Sequence, residues 1–252
     1  MASHPYLDNE GPIAFAHRGG TSHAPENSMR AFEHAYQLGY RYLETDVHAT
    51  VDGVLVAFHD DDLERTCGVK KRIATSTWDE IKTARLDGTD PIPTLNELLH
   101  TWSDVRLNID CKADTALEPL IAALRQSDCL ERVCIGSFSD ARLSRIRDEF
   151  GSRVCTSMGP REVARLVLRS ASRAPIRVSS HALAAQIPVR KGPLPVTTAR
   201  LVDTAHRLGL AVHVWTIDDP VEISRLLDMG VDGIMSDDTV ALRDVFSVRG
   251  HW

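Results

Sequence analysis

Short β-rich runs alternate with helical segments along all 252 residues, and this alternation is the strongest constraint on the fold. It is typical of α/β proteins with a parallel sheet. The runs that read as strands are residues 13–16, 42–47, 106–110, 133–136, 154–157, 176–179, 212–216 and 233–235. Eight strands in a chain near the roughly 250 residues of a typical (β/α)8 barrel predict that α/β architecture, the TIM barrel.

Residues typical of helix starts and helix ends predict helices between these strands. Asn27 or Ser28 can cap a helix that ends before Gly39, and Asp219-Pro220 is a second helix start.

One connection, at about residues 60–93, is far longer than the roughly 2–6 residues usual in α/β units. We expect it to form a small insertion over the barrel mouth, after the hairpin of the second strand. No repeat, low-complexity tract or linker divides the chain, so residues 1–252 are interpreted as a single domain.

A pair of carboxylates on the second predicted strand is the most informative chemical feature. A strand displays alternate residues on one face, so Glu44 and Asp46 converge. Asp52-Gly53 between apolar runs predicts a hairpin, and folding about its centre places Asp46 opposite His59. Because two converging carboxylates require a cation, this segment predicts a metal site with a proton carrier beside it.

Polar residues close several other predicted strands, and active sites of such barrels lie at the C-terminal strand ends. Those residues are His17, Arg18, Asp110, Lys112, Ser137 and Asp237, and the aromatic residues Phe138 and Trp215 stand at the same strand ends. Asp110 and Lys112 share one face by the same alternation. A lone histidine or a Glu-x-Asp pair is often an ordinary loop or strand-edge feature, but their joint placement favours one site. Phe138 and Trp215 are candidate ligand platforms, although such aromatics more often belong to the core.

The residue types suit a phosphodiester substrate. Carboxylate oxygens favour hard cations, Mg²⁺ or Ca²⁺, which also bind phosphate oxygens. Arg18 and Lys112 would hold the non-bridging oxygens. His17 and His59 can divide the roles of base and acid, which predicts a bell-shaped pH profile.

Composition narrows the partners. The net charge of −6 argues against a nucleic-acid or anionic-membrane partner, and no apolar run reaches the roughly 20 residues of a membrane-spanning helix. Residues 1–10 carry no signal-peptide or lipidation pattern, so we expect a cytoplasmic protein with no stable membrane anchor. The five cysteines are odd in number and lack a metal-binding spacing, which predicts reduced thiols.

The motifs together resemble those of the glycerophosphodiester phosphodiesterases. The matching segments are Ala16-His17-Arg18-Gly19-Gly20, Ala24-Pro25-Glu26-Asn27-Ser28, Leu43-Glu44-Thr45-Asp46-Val47, Asp52-Gly53, Phe58-His59-Asp60, Ile92-Pro93-Thr94-Leu95 and Val214-Trp215-Thr216-Ile217. The resemblance implies a (β/α)8 barrel that hydrolyses small glycerophosphodiesters to sn-glycerol 3-phosphate and an alcohol.

The resemblance also implies individual roles. His17 and His59 would be the acid/base pair. The metal ligands would be Glu44, Asp46 and Asp110. Arg18 and Lys112 would contact phosphate, and Glu26 would support the site near the metal and substrate. Attack by the substrate's own glycerol hydroxyl, giving a cyclic phosphate that water opens, would exploit an intramolecular nucleophile.

The third metal ligand departs from the family, which most often has Glu where this chain has Asp110. The shorter side chain implies that the metal shifts, binds through water, or is the smaller Mg²⁺ rather than Ca²⁺.

Two other functions stay open. A lysophospholipase D-like phosphodiesterase would need an apolar trough, and the 66–86 segment has few large apolar residues, which favours a water-soluble substrate. A catalytically silent glycerophosphodiester-binding protein would not need two proton carriers.

Overall fold

The computed structural model describes residues 4–172 and 181–252. Its strands are β1 (Ile13–His17), β2 (Tyr42–Ala49), β3 (Leu55–Ala57), β4 (Arg85–Leu86), β5 (Asp90–Pro91), β6 (Arg106–Cys111), β7 (Val133–Gly136), β8 (Cys155–Thr156), β9 (Ala184–Pro188), β10 (Arg190–Lys191), β11 (Leu194–Pro195), β12 (Ala211–Trp215) and β13 (Gly233–Ser236).

The α-helices follow the strands around the outside. They are α1 (Met29–Gln37), α2 (Glu64–Cys67), α3 (Trp78–Ile81), α4 (Leu95–Thr101), α5 (Asp114–Gln126), α6 (Asp140–Phe150), α7 (Pro160–Ala171), α8 (Ala199–Arg207), α9 (Pro220–Asp228) and α10 (Thr239–Val248). Single 3-10 turns lie at Pro5–Leu7, Ile73–Thr75, Leu130–Arg132 and Gly151–Arg153. None of the helices in the described ranges is long and apolar enough to cross a membrane.

Two helix starts follow the capping signals. The Oγ of Ser28 accepts a hydrogen bond from the amide of Ala31 at 3.1 Å, so Ser28 rather than Asn27 caps α1. Asp219 caps α9 with Pro220 in the first turn, as predicted.

Eight parallel strands form the barrel, in the spatial order β8-β7-β6-β2-β1-β13-β12-β9. An isolated parallel bridge between Ser157, just after β8, and Ala184 of β9 joins the two ends of this order. The predicted (β/α)8 barrel is therefore confirmed.

One barrel strand was not predicted. Seven of the predicted runs overlap barrel strands, whereas the run at 176–179 lies outside the described residues. The remaining position in the barrel belongs to β9. Its sequence, Ala-Ala-Gln-Ile-Pro, is poor in the β-branched and aromatic residues that mark strands. Burial of Ala184, Ala185 and Ile187 against the neighbouring elements sets its conformation.

Alternation along β1 links the barrel core to the barrel mouth. Ile13 and Phe15 pack inside the barrel with Tyr6, Tyr42, Cys134, Cys155 and Met235, while a larger apolar cluster fills the layer between sheet and helices. His17 lies on the same face as Phe15, one step further towards the C-terminal end of the strand. The packing that fills the barrel floor therefore also aims His17 at its mouth.

The hairpin that follows β2 has a register one residue away from the predicted one. Val47 pairs with Ala57, and the amide of Phe58 donates to the carbonyl of Asp46 at 2.9 Å, so Phe58 rather than His59 lies opposite Asp46. The cause is a three-residue loop, 51–53, in which Gly53 adopts a φ of +83°.

The insertion at 60–93 contains α2, α3 and the β4–β5 hairpin. It has its own apolar cluster, formed by Leu63, Ile73, Ile81, Leu86 and Ile92 with Val56 and Phe58 of the β2–β3 hairpin. These large apolar side chains are thus buried inside the insertion's own cluster.

Candidate active site

Adjacent barrel strands bring the predicted acidic residues and His17 together. In the sheet register His17 of β1 is the partner of Glu44 on β2, and Asp46 is the partner of Asp110 on β6. Parallel strands present equivalent positions at the same height, so these four side chains converge at the C-terminal mouth of the barrel.

The three carboxyl groups are shielded from water, and their pKa values are shifted in different directions. Glu44 and Asp46 are only 4% and 3% exposed. Burial, reinforced by the charge of Asp46, raises the pKa of Glu44 to about 8. Burial also raises the pKa of Asp110, in spite of the nearby Lys112. For Asp46, burial acts in the same direction, but Lys112 and then Arg18 outweigh it and lower the pKa. Burial therefore opposes the ionised forms of Glu44 and Asp110, whereas the neighbouring cations favour the ionised form of Asp46.

Arg18 and Lys112 are the cations that touch this cluster. Lys112 Nζ lies 3.2 Å from Asp46 Oδ1 and 3.4 Å from Asp110 Oδ2. Arg18 Nε lies 3.0 Å from Asp46 Oδ2, and the Arg18 amide donates to Glu44 Oε2 at 3.1 Å. Arg18 and Lys112, the residues predicted from the sequence to bind phosphate, therefore contact the acidic residues directly.

The donor atoms of this cluster are the kind that a hard cation prefers. Within residues 4–172 and 181–252, no group of three or more acidic, histidine or cysteine side chains is spaced to hold a metal ion. However, Asp110 Oδ1 is buried and has no hydrogen-bond partner among the described residues. An unpaired buried carboxylate oxygen in an all-oxygen donor set is what Mg²⁺ or Ca²⁺ would satisfy.

His17 is held between two carboxylates. Its Nδ1 lies 2.7 Å from Asp237 Oδ1, and its Nε2 lies 3.7 Å from Glu44 Oε2. Burial lowers the pKa of His17, but the charge of Glu44 and the hydrogen bond to Asp237 outweigh burial and raise it overall. The amide of Asp237 donates in turn to Asp218 Oδ1 at 2.8 Å, which fixes the turn that carries Asp237.

His59 is reached through a chain of ion pairs rather than by direct contact with the carboxylate cluster. Its Nδ1 lies 2.6 Å from Asp60 Oδ1, and Asp60 Oδ2 accepts from Arg65 Nε at 2.6 Å. Arg65 Nη2 donates to Glu26 Oε1 at 2.6 Å, and Glu26 Oε1 lies 3.3 Å from Arg18 Nη1. Each histidine thus has an aspartate on Nδ1, and Glu26 joins the His59 side to Arg18.

Sequence reasoning missed Arg65 as a site residue and noted Asp237 only as a residue at a strand end. Arg65 lies in the short helix α2 of the insertion, and no spacing rule relates it to Glu26. Its only signal was its place shortly after the His59-Asp60 pair.

Phe138 and Trp215 form an aromatic edge at the same mouth. Their rings meet edge to face with centroids 5.9 Å apart, and Lys112 Nζ lies 5.8 Å from the centroid of Phe138. Phe138 is 66% exposed, so it is not a core aromatic.

The chain is similar to known proteins in sequence and in fold. The model of the glycerophosphoryl diester phosphodiesterase family matches residues 17–241. The chain belongs to this family. A relative from Mycobacterium tuberculosis, named probable glycerophosphodiester phosphodiesterase 2, is 42% identical over 98% of this chain and 95% of its own length. Family membership confirms the predicted resemblance, and the protein is a glycerophosphodiester phosphodiesterase.

Solved structures share the fold of this chain. The putative glycerophosphoryl diester phosphodiesterase of Silicibacter pomeroyi superposes with a TM-score of 0.80 at 23% identity, covering 98% of this chain and 99% of that one. A phosphodiesterase of Oleispira antarctica in complex with the product sn-glycerol-3-phosphate gives a TM-score of 0.76 at 22% identity, covering 94% and 97%. The barrel is therefore the family's barrel.

Asn27, in the loop after β1, supports the carboxylate cluster from behind. It is buried, adopts a φ of +57°, accepts from Thr45 Oγ1 at 2.8 Å and donates to Asp46 Oδ2 at 3.4 Å. The backbone N–H of Asn27 donates to the carbonyl of Arg18 at 2.9 Å.

We expect Asn27→Ala to lower the free energy of unfolding by about 2–3 kcal/mol, since it removes the buried hydrogen bonds to Thr45 and Asp46 and places alanine, which tolerates positive φ less well than asparagine, in a left-handed conformation. Urea unfolding followed by circular dichroism measures the change. The matched control is Asn96→Ala, on the exposed face of α4, which we expect to change stability by less than about 0.5 kcal/mol. Equal effects of the two substitutions would contradict the role of Asn27.

Proposed function

We propose that this phosphodiesterase hydrolyses small glycerophosphodiesters to sn-glycerol 3-phosphate and an alcohol, with a bound divalent cation and with His17 and His59 as the acid/base pair. The observation that carries the proposal is the buried carboxylate cluster flanked by two histidines, each with an aspartate on Nδ1. Such a site supplies both a place for positive charge and two proton carriers.

Glu44, Asp46 and Asp110 would hold the cation. The convergence of these carboxyl groups on adjacent strands and the unpaired Asp110 Oδ1 support this set. When bound, Mg²⁺ or Ca²⁺ would polarise the phosphoryl group and neutralise charge on its oxygens. Asp110 is one methylene shorter than the usual Glu, which favours the smaller ion or a ligand bound through water.

Arg18 and Lys112 would bind the non-bridging phosphate oxygens. Both side chains contact Asp46 and would exchange carboxylate for phosphate oxygens when substrate binds. Glu26 holds the Arg18 guanidinium from the opposite side and so limits how far it can turn. Phe138 and Trp215 would contact the carbon skeleton of the substrate beside Lys112.

The two histidines would move protons through Nε2. A hydrogen bond from Nδ1 to a carboxylate fixes the ring orientation and leaves Nε2 to exchange the proton. In the first step the glycerol hydroxyl loses its proton to one histidine and forms the new P–O bond. The bond to the leaving alcohol breaks as the other histidine protonates its oxygen. Water then opens the cyclic phosphate, with the two roles reversed.

The architecture favours a water-soluble substrate over a lysophospholipid. The apolar side chains that could have lined an acyl trough, such as Ile73 and Leu86, are fully buried in the insertion's own cluster. A silent binding protein is disfavoured because it would not need two histidines with aspartate partners. The cytoplasmic location stays a prediction.

Release of glycerol 3-phosphate from glycerophosphocholine and glycerophosphoethanolamine tests the reaction. We expect EDTA to stop it and Mg²⁺ or Ca²⁺ to restore it. His17→Ala and His59→Ala should each lower kcat by about 10²–10⁴-fold, the usual contribution of a general acid or base. His100→Ala, on the exposed side of α4, is the control. Full activity in either active-site variant would refute the paired-histidine mechanism.

Cation binding can be measured apart from activity, as the rise in melting temperature when Mg²⁺ or Ca²⁺ is added to EDTA-treated protein. At a hundred times Kd the ion should stabilise the wild type by about 2.7 kcal/mol. Asp110→Asn should shift the titration to higher concentration by about tenfold or more, because it removes a charged ligand. Asp104→Asn, on an exposed loop, should leave the titration unchanged. Identical titrations for Asp110→Asn and the wild type would exclude Asp110 as a ligand.

A further inference from the structure

A cavity of about 440 Å³ opens beside the candidate active site, between the loop after β1 and the insertion. Glu26 and Arg65 line it, and the same two residues link Arg18 to Asp60 and His59. Its volume is within the roughly 300–1,000 Å³ of small-molecule sites. The cavity therefore continues the site outwards from its His59 side.

The lining of this cavity is rich in hydroxyl groups. Its hydroxyl-bearing residues are Thr21, Ser22, Thr66 and Thr89. Among the described residues, its apolar lining consists of Ala24 and Pro25, and its one ring apart from proline is His23, which stacks on His34 with centroids 4.0 Å apart.

The cations of the lining are already neutralised. Arg65 binds Glu26 and Asp60, and Arg30 binds Asp90 at 2.6 Å. The cavity therefore offers hydrogen-bond donors and acceptors rather than a strong net charge.

These features select the chemistry of the occupant. An acyl chain needs an apolar wall, and a quaternary ammonium group is best held by the faces of Trp, Tyr or Phe. The lining provides neither. The glycerol of glycerol 3-phosphate must stay at the carboxylates and histidines, whereas the cavity reaches outwards to Asp87 and Thr89. We infer that the cavity binds the leaving alcohol, and that this alcohol is a polyol such as glycerol or inositol. This inference rests on the proposed function.

Substrate comparison tests the inference. We expect kcat/KM for glycerophosphoinositol and glycerophosphoglycerol to exceed that for glycerophosphocholine by about tenfold or more, since each hydrogen bond contributes about 0.5–1.5 kcal/mol. The double variant Thr21→Val/Ser22→Ala, at two exposed hydroxyl-bearing residues of the lining, should reduce this preference by about tenfold, mainly through KM for the polyol diesters. Thr75→Val, on the insertion but outside the cavity lining, should keep the wild-type preference.

The outcomes separate the cavity from the reaction. Hydrolysis of polyol and choline diesters with equal kcat/KM would overturn the polyol site while the proposed function stands. The same holds for a preference that the double variant retains with an unchanged melting temperature. Inactivity on every diester with either metal would overturn the proposed function and the polyol site together.

The ion pairs of Arg65 carry a second, independent inference. Arg65 donates to both carboxylate oxygens of Glu26, from Nη2 at 2.6 Å and from Nη1 at 3.1 Å. Its Nε donates to Asp60 Oδ2 at 2.6 Å. The other oxygen of Asp60 holds His59 Nδ1. We infer that Arg65 is a positioning residue, which orients His59 through Asp60 although it belongs to the insertion.

Kinetics with glycerophosphoethanolamine test this role. Arg65→Gln should lower kcat by about 10–100-fold with a much smaller change in KM, the usual cost of losing an outer partner of a functional histidine. Arg65→Lys should lose less than the Gln variant, because it keeps the charge but not the planar fork. Arg72→Gln, an exposed arginine of the same insertion, is the matched control.

Epistasis distinguishes positioning from general stabilisation. If Arg65 acts through Asp60, the double variant Asp60→Asn/Arg65→Gln should have the kcat of Asp60→Asn alone. Additive losses would overturn the inference. So would a wild-type kcat in Arg65→Gln, or a loss matched by an equal fall in folded fraction.

Discussion

Buried negative charge is the constraint on which the rest of the structure depends. Glu44, Asp46 and Asp110 lie at one end of a closed barrel, where water screens them little. Leaving such charges unpaired is costly, so the surrounding chain must supply positive charge. Arg18 and Lys112 do so at each side of Asp46. The burial that makes these carboxylates costly to the fold thus also fixes where the two cationic side chains lie.

The backbone after β1 is shaped by that requirement. Arg18 has a φ of +52°, which turns its amide towards Glu44 and its guanidinium towards Asp46. The chain can then pass close to α1 only because position 19 is glycine: a β-carbon there would lie 2.8 Å from the amide nitrogen of Phe32. One short loop therefore both aims Arg18 at the carboxylates and packs closely against α1.

Much of the fold and of the site could be predicted from sequence because both follow from alternation. Period-two patterning placed Glu44 and Asp46 on one face, and the rule that barrel sites lie at strand C-termini grouped them with His17 and Asp110. Features set by tertiary context could not be predicted. The barrel environment makes β9 a strand, and a three-residue loop shifts His59 by one position.

The partners of the histidines were also beyond the reach of sequence reasoning. Asp237 is 220 positions from His17, and Arg65 meets Glu26 from 39 positions away. Such contacts depend on how loops and the insertion settle around the barrel, which no local pattern encodes.

The ring of strands is joined least firmly between β8 and β9. The backbone there is linked by two hydrogen bonds around the Ser157–Ala184 bridge, from Met158 to the carbonyl of Ala184 and from Leu183 to that of Thr156. Outside this joint α7 packs against α8. In the ring order the junction of β1 and β2, which carries His17 and Glu44, lies diametrically opposite. Because few backbone hydrogen bonds join the strands there, we expect local opening of the barrel wall to begin at this joint, on the side of the ring opposite the candidate active site.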